Sequence, residues 1–597
     1  MTPSEISRLD FSVEAVEAWA PVSPRNRNWP VVYVLDDLAS IKRPVSNTSA
    51  INDVYVGESR HAAMRFRQHL AAPEKQHLGS IRVVMDEKFN KSVCLDLESY
   101  LIRMLAGDGA FRVLNRNDGI TEADYYDRAG YQERFVEIFE KLKEDGLFTK
   151  SVGEIENSDL FKLSPFKSLT NDQAVALEGI IEGLLSDLAG VGRSSIVVQG
   201  DPGTGKTVVA IYLMKLLADI RDSSVDEDVD SDSIFSEFFV PENRMLLAGL
   251  RIGLVVPQQS LRRSIQKVFR KTPGLGPDMV MTAFEVGESE ADFDLLIVDE
   301  SHRLNQRANQ PSGVLNKKFI DINTTLFGAD DFSKTQLDWI QQKSRHQLFM
   351  LDAAQTVRPA DLPSEIVTEL VTDAVSTHRH YRLATQMRVK AGVDYVGYVR
   401  NILGIVTGPA SIRPLTASDL GSYEFRMFDS LAEMKQVIEA KDSEAGLSRL
   451  LAGYAWKWKT KSDPTAVDIE IDGLGLRWNS TAVDWVASAN SLEEVGSIHT
   501  IQGYDLNYAG VIIGNDLRYD PVAEKLIADR GSYFDVKGKE NNAALGKTYS
   551  DQDLLKYISN IYAVLMTRGI QGTYLYVCDP PLREYLRRLI PEGDVPQ

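Results

Sequence analysis

The sequence predicts an α/β fold, and two observations support this prediction. The apolar run at 195–199 is typical of a buried strand, and it leads through a glycine-rich segment at 200–207 into a stretch of helical character at 208–217. Farther along the chain, apolar runs at 292–299 and 347–352 again read as buried strands, and each ends in a carboxylate. We therefore expect parallel sheets with polar groups at the ends of their strands.

The glycine-rich segment reads Gly-Asp-Pro-Gly-Thr-Gly-Lys-Thr and matches the pattern GxxxxGK[ST]. Gly200, Gly203 and Gly205 let backbone N–H groups converge on phosphate, and the helix N-terminus adds the positive end of its dipole. We expect Lys206 to reach the β and γ phosphates and the Thr207 hydroxyl to hold Mg²⁺. The segment thus predicts a site for a nucleoside triphosphate such as ATP.

Length and composition are those of an ordinary globular protein with several domains. The 597 residues are 43% hydrophobic and 25% charged, and at roughly 150 residues per domain they would form about three or four domains. We find no apolar stretch of the ~18 residues that a membrane span needs and no signal-peptide pattern at 1–20, so we expect no membrane partner. The cysteines, Cys94 and Cys578, lie far apart, which predicts neither a disulfide framework nor a metal finger and suits a cytoplasmic location.

The net charge of −19 is weak evidence about partners. Binding to a nucleic-acid backbone depends on Lys and Arg, so a strongly acidic chain argues against it. However, seven acidic residues and no basic ones fall within 222–237, which reads as a solvated insertion. Because total charge does not describe a local basic channel, a nucleic-acid partner stays open.

Carboxylates after the later strands are candidates for metal binding and water activation. Asp299 would bind Mg²⁺ and Glu300 would polarise the attacking water. Asp352 and Gln355, after the next apolar run, could sense the γ-phosphate. Taken alone, each pair could also be an ordinary polar loop that follows a buried strand.

Two arginines are candidates for contact with the transferred phosphate. Arg388 lies in the segment at 381–388 and Arg568 in the segment at 562–569. A guanidinium can stabilise the charge on that phosphate. An isolated arginine is more often an ordinary surface residue, so the order of all the motifs along the chain has to decide.

Taken in order, these motifs resemble those of the superfamily 1 helicases. Gln173 resembles the adenine-reading glutamine of that family, and the segment at 254–261 resembles its motif for single-stranded nucleic acid. The segment at 299–302 resembles the Walker B motif, and the one at 500–503 resembles the motif that links nucleotide to strand. The resemblance implies that the two arginines above are the arginine fingers. Asp505 stands where the family pattern has glutamate.

Within this superfamily, residues 165–580 are most similar to bacterial ATPases related to the helicase-like domain of the longer Schlafen proteins. The stretches that carry this similarity are 456–458, 476–480 and 499–513. The resemblance implies two RecA-like lobes, which we place at 164–380 and 381–597. It also implies that ATP lies between the lobes and that nucleic acid crosses their tops.

Four tryptophans lie between the fourth and fifth of these motifs: Trp456, Trp458, Trp478 and Trp485. An aromatic face that stacks on a base contributes ~1–3 kcal/mol, so a role in strand binding is one interpretation. Core packing is the alternative that we favour, because an indole buries a large apolar area.

The N-terminal part of the chain has a different character, with two short apolar strands followed by helical stretches. The polar residues of interest are Tyr33, Tyr55, Arg65, His69, Glu98 and Asn115. Strand alternation would place Tyr33 and Tyr55 on one face, and the i, i+4 spacing puts Arg65 and His69 on one side of a helix. From composition alone, scattered surface and core residues are the interpretation to favour.

The spacing of these residues resembles the GIY-YIG nuclease family over residues 28–120. The half-motifs read Val-Val-Tyr33 and Val-Tyr55-Val-Gly57, which keep the tyrosines and the second glycine of the family pattern. In that family the arginine follows the second tyrosine by about ten residues, as Arg65 follows Tyr55 here. Asn115 stands beyond the helical glutamate.

The chemistry of these residues suits phosphodiester hydrolysis. Glu98 would hold Mg²⁺ or Mn²⁺, which stabilises the leaving oxygen. Tyr55 would orient or deprotonate the attacking water, helped by Tyr33 or His69. Arg65 would clamp the scissile phosphate. The alternative is a degenerate domain that only binds nucleic acid.

Residues 1–27 read as an N-terminal extension and 121–163 as a helical connector between the nuclease-like and helicase-like parts. We therefore expect an ATP-dependent translocase or helicase with its own nuclease, acting in defence against foreign DNA or in repair. DNA is the favoured partner and RNA a possible one, because phosphates and stacking are common to both. The alternatives are an ATP-gated switch that binds nucleic acid without unwinding it, and an RNA-directed nuclease-ATPase.

Overall fold

The computed structural model of the protein describes residues 4–38, 52–116, 124–223, 234–307, 310, 312–352, 358–405, 412–479, 485–488, 490–501, 504–539, 541, 546 and 548–591. The chain divides into two compact units. The first unit comprises Met1–Ile181, Val208–Ala248 and Ser264–Asp278, and the second comprises Glu182–Thr207, Gly249–Arg263 and Met279–Gln597. Among the described residues, no helix is both long enough and apolar enough to cross a membrane.

The N-terminal part of the first unit is built on a mixed sheet. Its strands are β1 (Glu5–Asp10), β2 (Val31–Asp36), β3 (Asn52–Ser59), β4 (Ser80–Met85) and β5 (Phe111–Val113). They lie in the order β1-β4-β2-β3-β5, and only the β3–β5 pair among them is parallel. The predicted strands that carry Tyr33 and Tyr55 are confirmed as the neighbours β2 and β3.

Helices pack on both faces of this sheet. They are α1 (Val13–Trp19), α2 (Ala62–Ala71), α3 (Lys91–Asp108), α4 (Arg128–Glu144), α5 (Val152–Glu156) and α6 (Asp159–Lys162). Because successive strand residues point to opposite faces, Val32 and Val34 of β2 join the core with α3 and α4, whereas Tyr33 joins the core with α1 and α2. The predicted helices at Arg65 and Glu98 are confirmed as α2 and α3.

The remaining helices of the first unit follow the connector. They are α7 (Asn171–Ala189), α8 (Lys206–Asp222), α9 (Pro241–Leu247) and α10 (Gln259–Arg270), of which α7, α8 and α10 also contain residues of the second unit. The helical character predicted for 121–163 is confirmed, since α4, α5 and α6 lie there.

The first sheet of the second unit is parallel. Its strands are β6 (Ser194–Gly200), β7 (Ile252–Val255), β8 (Val280–Met281), β9 (Phe293–Val298), β10 (Ser344–Leu351) and β11 (His380–Leu383), and its helices are α11 (Ala283–Glu288), α12 (Gly313–Phe327), α13 (Gln336–Lys343) and α14 (Ser364–Ser376). The strand order is β11-β6-β10-β9-β7-β8. The strands predicted at 195–199, 292–299 and 347–352 are confirmed as β6, β9 and β10. The boundary that we placed between residues 380 and 381 falls inside β11.

A second sheet follows in the same unit. Its strands are β12 (Glu424–Phe428), β13 (Ser448–Ala452), β14 (Ile469–Ile471), β15 (Leu474–Trp478), β16 (Glu494–Gly496), β17 (Leu506–Ile513) and β20 (Gly569–Val577). A separate hairpin is formed by β18 (Leu517–Asp520) and β19 (Lys525–Ala528). The order is β12-β20-β17-β13-β16-β15-β14, parallel up to the antiparallel β14–β15 pair. The helices are α15 (Tyr395–Ile402), α16 (Ala417–Leu420), α17 (Leu431–Ala445), α18 (Ile498–Ile501), α19 (Val536–Lys539), α20 (Asp551–Met566) and α21 (Pro580–Arg587). The α/β prediction with parallel sheets is confirmed.

The burial of the tryptophans on the second sheet distinguishes between strand binding and core packing for two of them. Trp478 and Trp485 are 1% and 0% exposed and belong to the apolar cores on this sheet. Trp456 and Trp458 are half-buried and pack against the same core as Trp478. Core packing is therefore confirmed for Trp478 and Trp485, whose faces are closed to bases.

A buried carboxyl group lies beside β18. Asp516 is 1% exposed, and its Oδ1 accepts a 2.6 Å hydrogen bond from the Tyr562 hydroxyl, which itself accepts one from the Gly514 N–H. Burial raises the pKa of Asp516 to about 7, although the hydrogen bond from Tyr562 opposes the shift. The folded state therefore holds a proton that an unfolded chain releases near pH ~3.9.

Asp516→Asn is expected to stabilise the protein increasingly as the pH rises from about 4 to about 7. The neutral carboxyl contributes stability below its unfolded pKa, and that contribution is lost as the pH passes the folded value. Asparagine keeps the acceptor for Tyr562 and has no proton to lose. Thermal unfolding midpoints of both proteins over this pH range test the prediction, with Asp321→Asn at an exposed site as the control. A constant difference between wild type and Asp516→Asn would contradict it.

Candidate functional sites

The glycine loop, residues 200–207, lies in the second unit after β6. The strand ends at Gly200 and α8 begins at Lys206. Gly203 (φ +86°) and Gly205 (φ +81°) adopt the left-handed conformation that other residues disfavour. A Cβ at Gly203 would also overlap Gln386 Oε1. The glycines are thus required both for the backbone turn and for the close approach of a neighbouring segment.

Lys206 is fixed over the glycine loop. Its Nζ donates hydrogen bonds to the carbonyl oxygens of Gly200 (2.7 Å) and Asp201 (3.1 Å). Nζ also lies 3.9 Å from Asp352 Oδ2, just after β10, and the side chain is buried. The structure therefore places the ammonium group at the glycine loop, and its contact with phosphate stays a prediction.

The two predicted Mg²⁺ ligands of this unit lie together. The Thr207 hydroxyl donates a 2.7 Å hydrogen bond to Asp299 Oδ2. Burial and the neighbouring Glu300 raise the pKa of the Asp299 carboxyl, which is 1% exposed. One hydroxyl and one carboxylate suit Mg²⁺, because this ion keeps several waters and takes further oxygens from phosphate. The residues present fit the ion.

Glu300 is held in an unusual backbone conformation beside these ligands. Its φ is +49°, which is left-handed and uncommon for a residue other than glycine. His302 Nε2 lies 3.1 Å from Glu300 Oε2, and the Asp352 N–H donates to His302 Nδ1 at 3.4 Å. Burial opposes the charged form of Glu300, but His302, together with the charges of Lys206 and Arg303, lowers the pKa of the carboxyl. His302 therefore connects Glu300 with the end of β10, and these three cationic or donor groups together favour the ionised carboxylate.

Arg568, which is buried, and Arg388, which is half-buried, form a pair of cations. Arg388 Nε donates to Asp505, and Arg568 Nη1 donates to the Tyr504 carbonyl oxygen at 3.3 Å. Burial and the nearby Arg388 lower the pKa of Arg568 to about 9. Arg388 Nη1 and Arg568 Nε are buried and have no hydrogen-bond partner among the described residues. Two guanidinium groups with one carboxylate between them have the charge and spare donors to bind an anion.

The segment after β11 attaches Arg388 to the glycine loop. Gln386 Nε2 donates to the Pro202 carbonyl oxygen (2.6 Å), and the Met387 N–H donates to the Gly203 carbonyl oxygen (2.9 Å). The Arg388 N–H in turn donates to Gln386 Oε1 at 2.9 Å. Sequence reasoning gave Gln386 no role, because its partners lie far away along the chain.

Arg400 is a second residue that the sequence did not single out. From α15, its Nη1 lies 2.5 Å from Asp201 Oδ1 and its Nη2 3.5 Å from Asp352 Oδ1. Asp352 thus faces both Arg400 of α15 and Lys206, the first residue of α8. No local sequence pattern could have indicated this arrangement.

The remaining predicted residues of the helicase-like part are placed as follows. Gln173 is buried in the first unit, and its Oε1 accepts a 3.1 Å hydrogen bond from the Thr170 N–H. Gln355, Gln502 and Gly503 lie outside the described residues. In the second unit, Gln258 Nε2 donates to the His499 carbonyl oxygen at 3.3 Å, so the segment at 254–261 contacts the residue just before the motif at 500–503.

The predicted nuclease residues of the first unit form one cluster around Tyr33. The Tyr33 hydroxyl lies 2.7 Å from His69 Nε2, and the ring centroids of Tyr33 and Tyr55 are 6.4 Å apart. Tyr55 and His69 also contact each other, with centroids 5.1 Å apart. Burial raises the pKa of Tyr33 well above its usual value. The structure therefore brings the two tyrosines and the histidine together, as their spacing predicted.

Arg65 on α2 contacts the same cluster, and the charge of Glu98 on α3 acts on it. Although burial opposes it, the Tyr33 and Tyr55 oxygens raise the pKa of Arg65, which places the guanidinium beside both phenols. The charge of Glu98 contributes to the raised pKa of Tyr33, after burial and Tyr55. A half-buried carboxylate on a helix suits a divalent ion bound through one protein oxygen and several waters. Of the described residues, no group of three or more His, Cys, Asp and Glu could hold a metal.

Asn115 supports this cluster from the backbone side. Its Oδ1 accepts a 3.0 Å hydrogen bond from the Val56 N–H, and its Nδ2 donates to the Val56 carbonyl oxygen at 2.8 Å. The amide is 6% exposed. Asn115 thus fixes β3 next to Tyr55, and both ends of its amide group are used in doing so.

Gly57 explains why the second half-motif needs a glycine. It pairs with Tyr33 across β2 and β3, and a Cβ at this position would overlap the Tyr33 hydroxyl. The ring therefore lies directly over the glycine and reaches His69.

Gly57→Ala is expected to destabilise the first unit by about 1–3 kcal/mol, the usual cost of overpacking a core. The added methyl must displace the Tyr33 ring and break its hydrogen bond to His69. Thermal unfolding of the full chain measures the effect, and Gly153→Ala, where a Cβ meets no atom within 4 Å, is the matched control. Equal midpoints for the two variants would contradict the prediction.

Comparison with known proteins agrees with the helicase-like part. The profile of the Schlafen group 3 DNA/RNA helicase domain matches residues 193–579, which is more than half of the chain. The uncharacterized protein YPL245W of Saccharomyces cerevisiae is 25% identical over 412 residues, covering 66% of this chain and 83% of that protein.

Solved structures of Bacteroides Pif1 were also found. The complex with ssDNA has a TM-score of 0.24 and 10% identity, covering 67% of this chain and 91% of that chain. The complex with ADP-AlF4 has a TM-score of 0.26 and 11% identity, covering 70% of this chain and 94% of that chain.

Proposed function

This chain belongs to the Schlafen group 3 family of DNA/RNA helicase domains, and on that premise we propose that it is an ATP-driven translocase or helicase. From the cluster around Tyr33 we also propose that it carries its own nuclease. The single observation that carries the ATPase part is the convergence of Lys206, Arg388 and Arg568 with the carboxylates of Asp299 and Glu300 in one unit. Free thiols at Cys94 and Cys578 suit a reducing compartment such as the cytoplasm.

The side chains of the second unit divide the work of phosphoryl transfer. Lys206 contacts the β and γ phosphates, exchanging its carbonyl partners for phosphate oxygens. Arg388 and Arg568 turn their unused donors to the γ-phosphate and stabilise the charge that develops there. Thr207 and Asp299 hold Mg²⁺, which supplies positive charge to the phosphate oxygens when bound. Gln355 with Asp352 senses the γ-phosphate. Gln173, in the first unit, is the adenine-reading residue that the family resemblance implies.

Glu300 acts on the attacking water. The pKa of its carboxyl is lowered by His302, Lys206 and Arg303, so the carboxylate accepts a hydrogen bond from water and aligns it with the γ-phosphate. His302 also accepts the Asp352 N–H, and Asp352 faces Lys206 and Arg400. A change at the γ-phosphate is thereby transmitted to residues of both sheets, which would drive the opening and closing of the lobes at 164–380 and 381–597.

The first unit supplies the nuclease, in the manner of a GIY-YIG domain at 28–120. Arg65 clamps the scissile phosphate, and Glu98 holds Mg²⁺ or Mn²⁺. Tyr55 orients the attacking water, with Tyr33 and His69 behind it. The observation that supports the nuclease function is that the side chains of Tyr33, Tyr55, Arg65 and His69 lie together in one cluster. We propose DNA as the favoured substrate, RNA as the other candidate, and defence or repair as the role.

One experiment tests both halves. ATP hydrolysis by the full chain is measured without polymer and with single-stranded DNA, duplex DNA or RNA, in Mg²⁺ and then in Mn²⁺, and the same samples are run on a gel. Stimulation by one polymer together with its cleavage supports the proposal and identifies the substrate. Hydrolysis that no polymer stimulates contradicts the motor, and intact polymer under every condition contradicts the nuclease.

A further inference from the structure

Lys75 lies inside the candidate nuclease cluster, although it belongs to none of the motifs. It ends the short 3-10 turn Pro73–Lys75 that follows α2. Its Nζ lies 3.0 Å from His69 Nδ1 and 3.6 Å from the centroid of the Tyr55 ring. Burial, followed by the charge of Arg65, lowers the pKa of Lys75 to about 8, so the side chain is mainly an ammonium group at neutral pH.

The chemistry of an ammonium group fixes the direction of the hydrogen bonds around it. A protonated lysine donates hydrogen bonds and accepts none. His69 Nδ1 must therefore be the acceptor, and a neutral ring then carries its proton on Nε2. Burial and the charge of Lys75 lower the pKa of His69 to about 3, which agrees with a neutral ring. Nε2 lies 2.7 Å from the Tyr33 hydroxyl and donates to its oxygen.

We propose that Lys75 is a positioning residue of the nuclease site, which makes His69 a hydrogen-bond donor to Tyr33. The inference rests on the nuclease function proposed above. The chain of donors runs from Lys75 through His69 to the Tyr33 oxygen. Tyr33 then directs its own proton away from His69.

The direction of these hydrogen bonds excludes one of the acid-base roles that the sequence allowed. His69 cannot accept a proton from Tyr33 at Nε2, because that nitrogen already carries one. His69 is therefore excluded as the base for Tyr33 while Lys75 is protonated. Tyr55 remains as the group that orients the attacking water, with the Lys75 ammonium against its ring face.

The test measures the tautomer of His69 by ¹⁵N NMR of the full chain, with only the histidine side chains labelled. His69→Gln identifies the signals, and Lys75→Met, Lys75→Arg and Lys88→Met are compared with the wild type. Lys88 is an exposed lysine of the same unit and serves as the matched control. The wild type, Lys75→Arg and Lys88→Met should show a ring protonated on Nε2. Lys75→Met should show a loss of this form in favour of protonation on Nδ1.

Cleavage of the preferred polymer is measured in the same variants. Lys75→Met should slow it about 100-fold, the low end of what a positioned acid-base group contributes, and Lys75→Arg should restore part of the rate. A tautomer that is insensitive to Lys75→Met, or a wild-type ring protonated on Nδ1, overturns the inference even if the protein is an active nuclease. If the tautomer responds but no protein cleaves, the hydrogen-bond chain stands and the nuclease function fails.

Discussion

Lys206→Ala is expected to slow ATP hydrolysis about 1000-fold, because it removes a positioned cation from the glycine loop. Loss of a single preorganised donor to a developing charge typically lowers a rate by about 10²–10³. Lys206 also carries a full charge in a buried setting, where Coulomb interactions are strongest, so we expect the upper end of that range. The turnover number for ATP, measured with the polymer that stimulates the wild type most, checks this prediction.

The matched control for this variant is Lys317→Ala, which removes an exposed lysine of α12 in the same unit. Thermal unfolding should show that both variants are folded, although Lys206→Ala leaves the carbonyl oxygens of Gly200 and Asp201 without their donor. If Lys206→Ala hydrolyses ATP within about threefold of the wild-type rate, the glycine loop has no part in the proposed mechanism of hydrolysis. The same protein also tests coupling, since cleavage that ignores both ATP and this substitution would indicate two independent activities.

The glycine loop could be predicted from sequence because its chemistry is local. Eight consecutive residues contain the glycines, the lysine and the hydroxyl, and the flanking strand and helix are set by local apolar patterns. Gly203 and Gly205 adopt left-handed φ values that favour glycine, so the pattern itself encodes the backbone. The same reasoning placed Asp299 correctly at the end of a buried strand.

The residues that the sequence missed are positioned by long-range contacts. Gln386 meets Pro202 across 184 residues, and Arg400 meets Asp201 across 199. Nothing near Gln386 or Arg400 in the sequence records these partners, because they arise only when strands and helices from distant segments pack together. Lys75 was missed for a different reason. It lies only six residues from His69, but a 3-10 turn rather than a helical repeat brings the two side chains together.

For the tryptophans, the sequence allowed either base stacking or core packing, and only the packed structure distinguishes between the two. An indole has an aromatic face for stacking and a large apolar area for burial, so position along the chain does not decide its role. Trp478 at the end of β15 and Trp485 in the short 3-10 turn Trp485–Ala487 are each packed into an apolar core of the second sheet. For Asn115, the motif position predicted a place at the nuclease site. Only the structure shows the two hydrogen bonds of its amide group to the Val56 backbone.

Arg65→Ala is expected to lower polymer cleavage about 100- to 1000-fold while ATP hydrolysis is unchanged. Arg65 lies beside both phenols of the nuclease cluster, where a bidentate guanidinium would hold the scissile phosphate against them. Arg65→Lys should recover little, because an ammonium group lacks the planar pair of donors. Rates are measured on a gel with the preferred polymer, alongside ATP turnover in the same samples.

Arg67→Ala is the matched control, because this arginine lies on the same helix, is exposed, and forms a 2.8 Å ion pair with Glu17. The Arg67→Ala variant should cleave like the wild type. Unfolding midpoints should show that the wild type, Arg65→Ala and Arg67→Ala all keep the first unit folded. Glu98→Ala should match Arg65→Ala in cleavage if the carboxylate binds the divalent ion, since the clamp and the metal act on one phosphate. Cleavage that persists in both variants would mean that this cluster of tyrosines, arginine and carboxylate is not where the strand is cut, and the activity would then have to be assigned to another part of the chain.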